Sequence, residues 1–246
     1  MSKLYSLFLV ILVICTLASC ASNGNSQLPL TLNKISSGKP TSDLLLMFPG
    51  INSPGTDFIQ HGFVSMFQHQ YPDVDIILVD TRFAYIKDDN IAERIQNEII
   101  LPARREGYKK IGLTGISLGG LSVLKYSKMF AGNLNRIVLI APYLGEQSAI
   151  EDLLASRAPL AWSKLNANSR DKTIRLWRYL LNKTQKKKNK DRLFIAYGES
   201  DRFSDMQRFL ASLLDKNNVF TEKGGHNWTV WKKLWQTMLD KKIFDY

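Results

Sequence analysis

The sequence predicts an α/β fold in which a mostly parallel sheet is flanked by helices. Three observations support this prediction. Five short apolar runs, at residues 44–48, 76–79, 111–114, 137–140 and 193–197, have the length and branched composition of buried strands. The stretches between several of them carry apolar residues at helical spacing. Because parallel strands need crossover connections, strands that alternate with helices indicate a parallel sheet.

Length and composition place the chain among globular proteins and exclude several enzyme classes. With 246 residues, 45% of them hydrophobic and 22% charged, the chain is long enough to bury a sizeable core, and one domain is expected. Both cysteines, Cys15 and Cys20, lie within the first twenty residues. The rest of the chain therefore cannot form an internal disulfide or a cysteine-based zinc or iron–sulfur site.

The N-terminus has the pattern of a secretory signal. Lys3 precedes a nearly unbroken apolar run at residues 4–17, which is too short and too early for an ordinary membrane span. The run ends in Leu-Ala-Ser-Cys, which resembles a bacterial lipobox, where a signal peptidase cuts before a cysteine that is then acylated. The sequence predicts a lipoprotein signal peptide at residues 1–19 and lipidation of Cys20. The alternative is an ordinary signal with an incidental cysteine.

Residues 20–42 are predicted to tether the folded domain to its lipid anchor. They are rich in Ser, Asn, Gly and Lys and contain Pro29 and Pro40, a composition typical of linkers. Two or three acyl chains on the cysteine would hold the protein at a membrane. Ala21, rather than Asp, follows the cysteine, which by resemblance favours the outer membrane if the cell is Gram-negative. We expect a bacterial envelope location and a folded domain at residues 43–246.

The central strand is followed by a motif typical of a catalytic serine. Residues 115–120 spell Gly-Ile-Ser-Leu-Gly-Gly, which matches G-x-S-x-G at the junction of a predicted strand and a predicted helix. A nucleophile on such a tight turn crowds the positions two residues away, so Gly115 and Gly119 meet a steric requirement. The sequence predicts that Ser117 is a nucleophile. The alternative is a serine that only caps the following helix.

His226 is the candidate base for this serine. A serine hydroxyl is a weak nucleophile at neutral pH and needs a base within hydrogen-bond reach. Of the three histidines, His61 and His69 lie in or beside the helix after the first run. His226 instead follows a weak last strand at residues 219–221, from which a loop can bend back over the sheet. The alternative is an incidental loop histidine.

Asp201 is the candidate acid that orients His226. It comes directly after the fifth run and precedes the histidine along the chain, which is the order expected when the serine comes first. Aspartate is also a favoured helix cap, so Asp201 could only cap the next helix, with Glu199 or Asp205 as the acid. Asp80, which ends the second run, is a further rival, but it precedes the serine in the chain.

Together, the serine motif, the acid and the histidine resemble the α/β-hydrolase superfamily of serine esterases, lipases, thioesterases and related acyl-transfer enzymes. The resemblance covers about residues 43–242. It implies a two-step acyl transfer that needs no metal and no organic cofactor.

The resemblance also implies an oxyanion hole made of two backbone N–H groups. One belongs to the residue after the nucleophile, Leu118. The other comes from the loop after the first strand, and we assign it to Ile51, with Asn52 as the alternative. In that loop, Pro-Gly at residues 49–50 replaces the His-Gly of many members. Because the donor is a main-chain group, we expect it to survive this difference.

The positive charge is concentrated in one segment. The chain carries a net charge of +11, and residues 163–192 contain eleven Lys or Arg and two Asp. This segment belongs to a predicted insert at about residues 145–191, where the superfamily commonly places a cap, and an amphipathic helix is expected there. The charge is either a solvated surface or an attraction to anionic phospholipid or acidic envelope polymer. Nucleic acid is not expected as a partner, because the protein is exported and no nucleic-acid-binding motif is present.

The sequence therefore predicts a lipid-anchored serine hydrolase of the bacterial envelope that cleaves small-molecule or lipid carboxylic esters. A thioesterase, an amidase or an acyltransferase would use the same apparatus. A non-catalytic envelope binding protein with this fold is the alternative from another class. The sequence makes no prediction of oligomeric state.

Overall fold

The computed structural model describes residues 29–80, 89–130, 134–186, 192–244 and 246. The predicted signal peptide and Cys20 lie outside the described residues, as do residues 187–191 of the basic segment. Among the helices of the described part, none is both long enough and apolar enough to cross a membrane.

The described strands form one sheet of seven. They are β1 (Thr31–Ile35), β2 (Asp43–Phe48), β3 (Asp75–Asp80), β4 (Lys110–Ile116), β5 (Leu134–Ile140), β6 (Leu193–Gly198) and β7 (Val219–Glu222). Their order is β1-β3-β2-β4-β5-β6-β7. β1 is antiparallel to β3, and every other neighbouring pair is parallel. The predicted fold class, a mostly parallel sheet flanked by helices, is confirmed.

Helices connect most of the strands. They are α1 (Asp57–Gln60), α2 (Phe63–Gln70), α3 (Ile91–Arg94), α4 (Leu101–Arg105), α5 (Leu118–Met129), α6 (Glu151–Leu154), α7 (Pro159–Leu165), α8 (Lys172–Thr184), α9 (Ser204–Ser212) and α10 (Trp228–Asp240). A π-helical segment, Ile95–Ile100, joins α3 to α4. Short 3₁₀ turns precede α6 and β7.

β1 corrects the predicted start of the folded domain. The composition of residues 20–42 predicts a tether. In the structure, β1 pairs with β3 over its whole length, from Thr31 opposite Asp80 to Ile35 opposite Ile76. The strand has no apolar run because four of its five residues are exposed at the sheet edge, so periodicity could not identify it.

The central strands separate two cores, one on each face of the sheet. Along β2, Leu44, Leu46 and Phe48 belong to the first core. Leu45 and Met47 belong to the second. Helices α3, α4, α5, α8 and α9 contribute to the first core, whereas α1, α2 and α10 contribute to the second. Burial on both faces explains why the central strands appear in the sequence as continuous apolar runs.

The insert between β5 and β6 packs into the first core. Helix α8 buries Leu176, Trp177, Leu180 and Leu181. The indole N–H of Trp177 donates a hydrogen bond of 3.1 Å to the carbonyl of Leu144. The amphipathic helix predicted in this segment is therefore present, while its role as a cap over the site stays a prediction.

The strand order creates a crevice at the carboxyl end of β4. After β2 the chain adds β3 on one side and then returns to add β4 on the other side of β2. The intervening helices pack on opposite faces, with α1 and α2 in the second core and α3 and α4 in the first. Open α/β sheets bind ligands at such a reversal of strand order. The segments that follow β2 and β4 are therefore placed to form a site.

Candidate active site

Ser117 lies in a strained turn between β4 and α5. Its φ of 51° and ψ of −115° are unfavourable for a residue with a side chain. Two backbone hydrogen bonds of 3.0 Å hold it there: the Ser117 N–H donates to Ile140, and the Ser117 carbonyl accepts from Tyr143. Although Ser117 precedes the helix, its side chain makes no capping hydrogen bond. The hydroxyl is thus available for another contact.

The glycines around the serine are required by close backbone approach. A Cβ on Gly115 would lie 2.5 Å from the carbonyl carbon of Gly119, and a Cβ on Gly119 would lie 2.1 Å from the carbonyl oxygen of Phe48. Both distances are shorter than any normal contact, and backbone atoms cannot rotate away as a side chain can. The small residues also allow the end of β2 to lie directly against the turn that carries Ser117.

The structure brings the side chains of Ser117, His226 and Asp201 together. Ser117 Oγ lies 2.9 Å from His226 Nε2, and His226 Nδ1 lies 2.7 Å from Asp201 Oδ2. With its proton on Nδ1, the ring donates to the carboxylate and accepts from the hydroxyl. The Asp201 side chain is fully buried, and that of His226 is 10% exposed. This connectivity is the one that a base-activated serine requires.

Asp201 orients the imidazole with one carboxylate oxygen and closes a local turn with the other. While Oδ2 faces His226, Oδ1 accepts a hydrogen bond of 2.9 Å from the backbone N–H of Phe203. Helix α9 begins at the next residue and has no side-chain cap of its own. The local turn therefore fixes the carboxylate and leaves one of its oxygens for the imidazole.

The rival carboxylates are engaged or directed elsewhere. Asp205 forms an exposed ion pair of 2.7 Å with Arg208 on α9. Asp80 accepts a hydrogen bond from the backbone N–H of Gly55. Glu199 is exposed. Of the four candidate acids, all of which the structure describes, Asp201 is the one that hydrogen-bonds His226.

Two aromatic rings flank His226, and the sequence analysis did not identify either as a site residue. The centroid of Phe203 lies 5.3 Å from that of the imidazole, and that of Trp231 lies 4.9 Å from it. Both rings stand nearly perpendicular to the imidazole, at 87° and 85°. Edge-to-face contacts of this kind favour one ring orientation. The signal available in the sequence was that Phe203 lies two residues after Asp201 and Trp231 five residues after His226.

Trp228 contacts His61, not the serine. Its indole stacks on His61 with the ring centroids 4.1 Å apart. It also packs edge-on against Phe58 and Phe63 of the second core. Trp228 therefore helps to pack α10 against α1 and α2.

The two predicted oxyanion donors lie in segments that flank Ser117. Leu118 is the first residue of α5, where a backbone N–H has no acceptor within the helix. The loop after β2 also approaches the serine, because a Cβ on Gly50 would lie 3.5 Å from Ser117 Cβ. Ile51 follows in this loop and is 46% exposed. Asn52 comes next, with a φ of 58°. The assignment of the donors to Leu118 and Ile51 stays a prediction.

A cavity of about 330 Å³ lies beside the turn that carries Ser117. Leu118, Leu121, Leu176 and Tyr143 contribute to its lining. This volume lies at the lower end of the range typical of small-molecule sites. Within the ranges that the structure describes, no group of three or more His, Cys, Asp or Glu residues could hold a metal ion.

Comparisons with known proteins establish the fold. No protein-family model and no curated protein sequence matches the chain. An S-formylglutathione hydrolase of Staphylococcus aureus has 16% identity and a TM-score of 0.53, covering 83% of this chain and 82% of its own. A fluorophosphonate-binding serine hydrolase of the same species has 14% identity and a TM-score of 0.56, covering 88% and 100%.

A monoacylglycerol lipase of Paleococcus ferrophilus has 13% identity and a TM-score of 0.55, covering 88% of this chain and 99% of its own. At such low identities the likeness extends to the fold alone. The fold is that of the α/β-hydrolases.

Proposed function

We propose that this protein is a serine hydrolase that cleaves carboxylic esters through an acyl-enzyme intermediate. One observation carries the proposal: Ser117 Oγ, the imidazole of His226 and the carboxylate of Asp201 are linked by contacts of 2.9 and 2.7 Å. The position of the serine, at a reversal of strand order in the sheet, supports it. A structural neighbour named as a monoacylglycerol lipase supports a carboxylic ester as the substrate. The neighbour named as an S-formylglutathione hydrolase is named for a thioester and supports hydrolysis of an acyl bond more generally.

In the first step, Ser117 Oγ attacks the carbonyl carbon of the ester while His226 Nε2 accepts its proton. The carbonyl electron pair moves to oxygen and forms an oxyanion. Asp201 holds the ring with Nδ1 protonated and stabilises the imidazolium. When the tetrahedral intermediate collapses, the alcohol leaves with the proton from His226, and the acyl group stays on the serine.

In the second step, water attacks the acyl carbonyl and His226 accepts the proton of that water. Collapse of this intermediate releases the acid, and the proton returns to Ser117 Oγ. The N–H groups of Leu118 and Ile51 donate to the oxyanion in both steps, and loss of one such donor typically costs about 2.7–4 kcal/mol. Thioester cleavage, amide cleavage and transfer of the acyl group to another acceptor use the same groups. A panel of nitrophenyl esters, thioesters and amides of graded acyl length ranks these reactions.

The proposal is tested with a fluorophosphonate probe, which transfers its phosphorus to an activated serine oxygen with loss of fluoride. We expect one label on each wild-type molecule and none on Ser117→Ala, measured by intact mass. Ser65→Ala, at an exposed position of α2, is the control and should label like the wild type. A folded wild type that takes up no label would contradict the proposal and favour a non-catalytic binding protein.

The proposed place of action is the bacterial envelope, with the protein held by acyl chains on Cys20. The apolar run at residues 4–17 and the Leu-Ala-Ser-Cys that ends it support this proposal. The basic segment at residues 163–192 adds attraction to anionic lipid, worth about 1 kcal/mol for each cation near the surface.

Replacement of Cys20 by Ala is expected to abolish incorporation of labelled palmitate, because the acylated thiol is removed. The measurement is radiolabel or click-label in the immunoprecipitated protein from cells that express the full chain. Cys15→Ala is the matched control, since it changes the other cysteine within the same segment and should keep the label. Persistent label in Cys20→Ala would contradict the lipoprotein assignment.

A further inference from the structure

The cavity beside Leu118 carries an excess of positive charge. Among the described residues that line it, the charged ones are Lys125, Lys128, Lys172, Arg175 and Asp89. Asp89 forms an ion pair with Lys125 and lies 3.9 Å from Lys172 Nζ. Burial alone would raise the pKa of Asp89, but the hydrogen bond and charge of Lys125, followed by the charges of Lys172 and Lys128, lower it. The single carboxylate is thus already engaged by two of the four cations.

Among the described residues, the other two cations form no ion pair. In the part of the chain that the structure describes, neither the Lys128 ammonium nor the Arg175 guanidinium has a hydrogen-bond or ion-pair partner. Burial lowers the pKa of Lys128, and the positive charge of Arg175 lowers it further, while the negative charge of Asp89 raises it. Lys128 is half-buried and Arg175 is exposed, and the repulsion between their two charges decreases when an anion binds. An anionic group in the cavity would supply the missing partner.

The cations of α5 lie in line with the turn that carries Ser117. Leu118, Leu121, Lys125 and Lys128 line the cavity at spacings of three and four residues, so they share one face of the helix. At 1.5 Å per residue, Lys125 lies about 10 Å and Lys128 about 15 Å from Leu118 along the helix axis. The wall that α5 contributes is therefore apolar at Leu118 and Leu121 and cationic further along the helix.

Helix α8 repeats this arrangement on the other wall. Lys172 and Arg175 stand at its first turn, three residues apart, and line the cavity together with Leu176. Leu176 belongs to the first core and is 4% exposed. The core packing of α8 therefore fixes where its cations stand relative to those of α5.

We propose that this cavity binds a negatively charged group, a carboxylate or a phosphate, at the end of the substrate remote from the scissile ester. The preferred substrates are then esters that carry an anionic group, joined to the reacting carbonyl by an apolar chain. Lys128 and Arg175 select for the charge, and Leu118, Leu121 and Leu176 contact the chain. This inference rests on the proposed hydrolase function and assigns its substrate class.

The test compares kcat/KM for nitrophenyl esters that differ only at the end of the acyl chain. At each of several chain lengths, one ester ends in a carboxylate, one in a phosphate and one in a neutral methyl ester. We expect the wild type to prefer at least one of the anionic esters by about tenfold or more, because a hydrogen bond to a charged group contributes about 1.5–3 kcal/mol. The two anionic series identify which group is bound.

The variants are Lys128→Gln, Arg175→Gln and the double variant. We expect the double variant to lose the preference, measured as the ratio of kcat/KM for the anionic ester to kcat/KM for the neutral ester of the same chain length. Since neither side chain has a partner in the described residues, its removal leaves no orphaned group, and urea unfolding should confirm an intact fold. Lys232→Gln is the matched control, because this exposed cation lies on α10 across the sheet.

Equal rates on charged and neutral esters in the wild type would overturn the inference, as would a preference that survives in the double variant. Failure of the hydrolase proposal has a different signature, namely no turnover of any ester and no fluorophosphonate label. If the protein hydrolyses no ester, the cavity is tested by calorimetry with the monomethyl and dimethyl esters of diacids of the same chain lengths. Tighter binding of the anionic monoester would support the charged site, and equal binding would overturn it.

Discussion

Replacement of His226 by Ala is expected to lower kcat for a nitrophenyl ester by about 10⁶-fold, the loss typical when the base of a serine hydrolase is removed. Nε2, which lies 2.9 Å from Ser117 Oγ, would no longer accept the hydroxyl proton. The same nitrogen is needed again to activate water, so acylation and deacylation both slow. The measurement is nitrophenolate release under saturating substrate.

His61→Ala is the matched control for this experiment. His61 stacks on Trp228 and makes no described contact with Ser117. Its loss should leave kcat within about tenfold of the wild type, because it holds no group of the reacting set. His226→Gln retains more of the side-chain volume between Phe203 and Trp231, and separates loss of the base from loss of packing. If His226→Ala and His226→Gln both turn over like the wild type, the base assignment is wrong.

Replacement of Asp201 by Asn is expected to lower kcat by about 10⁴-fold. The amide has nearly the same shape, and its oxygen can still accept the hydrogen bond from Phe203 N–H. Its NH₂ group would then face His226 Nδ1 and favour the tautomer with the proton on Nε2. A protonated Nε2 cannot accept the proton of Ser117.

Asp205→Asn is the matched control, since this aspartate lies four residues away and pairs with Arg208 at the surface. We expect its kcat to be that of the wild type. A role limited to capping predicts a different outcome for Asp201→Asn, with unchanged kcat and a free energy of unfolding lower by about 1 kcal/mol. Steady-state kinetics and urea unfolding of both variants distinguish these roles.

The sheet could be predicted from the sequence because its central strands are buried on both faces. Continuous apolar runs such as residues 44–48 and 137–140, rich in branched residues and only four or five residues long, are typical of such strands. β1 could not be predicted in this way, because an exposed edge strand carries no continuous apolar run. Its pairing with β3 depends on a partner more than forty residues away in the chain.

The sequence by itself determined the motif around Ser117 and the order of the candidate acid and base. Close backbone contacts require glycine at positions 115 and 119. Both positions are two residues from Ser117, so the requirement can be recognised as a short sequence motif. Local pattern could not decide between a capping and a catalytic role for Asp201, because an aspartate just before a helix is typical of both. In the structure its side chain contacts His226 and does not cap the helix.

Only the tertiary structure decided which side chains meet. Phe203 and Trp231 flank His226, and the cations of α5 and α8 share one cavity, because packing against the sheet brings distant segments together. Helical spacing assigns a residue to a face of its own helix, but it does not say what that face meets. Whether side chains from distant segments meet depends on how the helices pack against the two faces of the sheet. Contacts between distant segments leave no periodic pattern in the sequence.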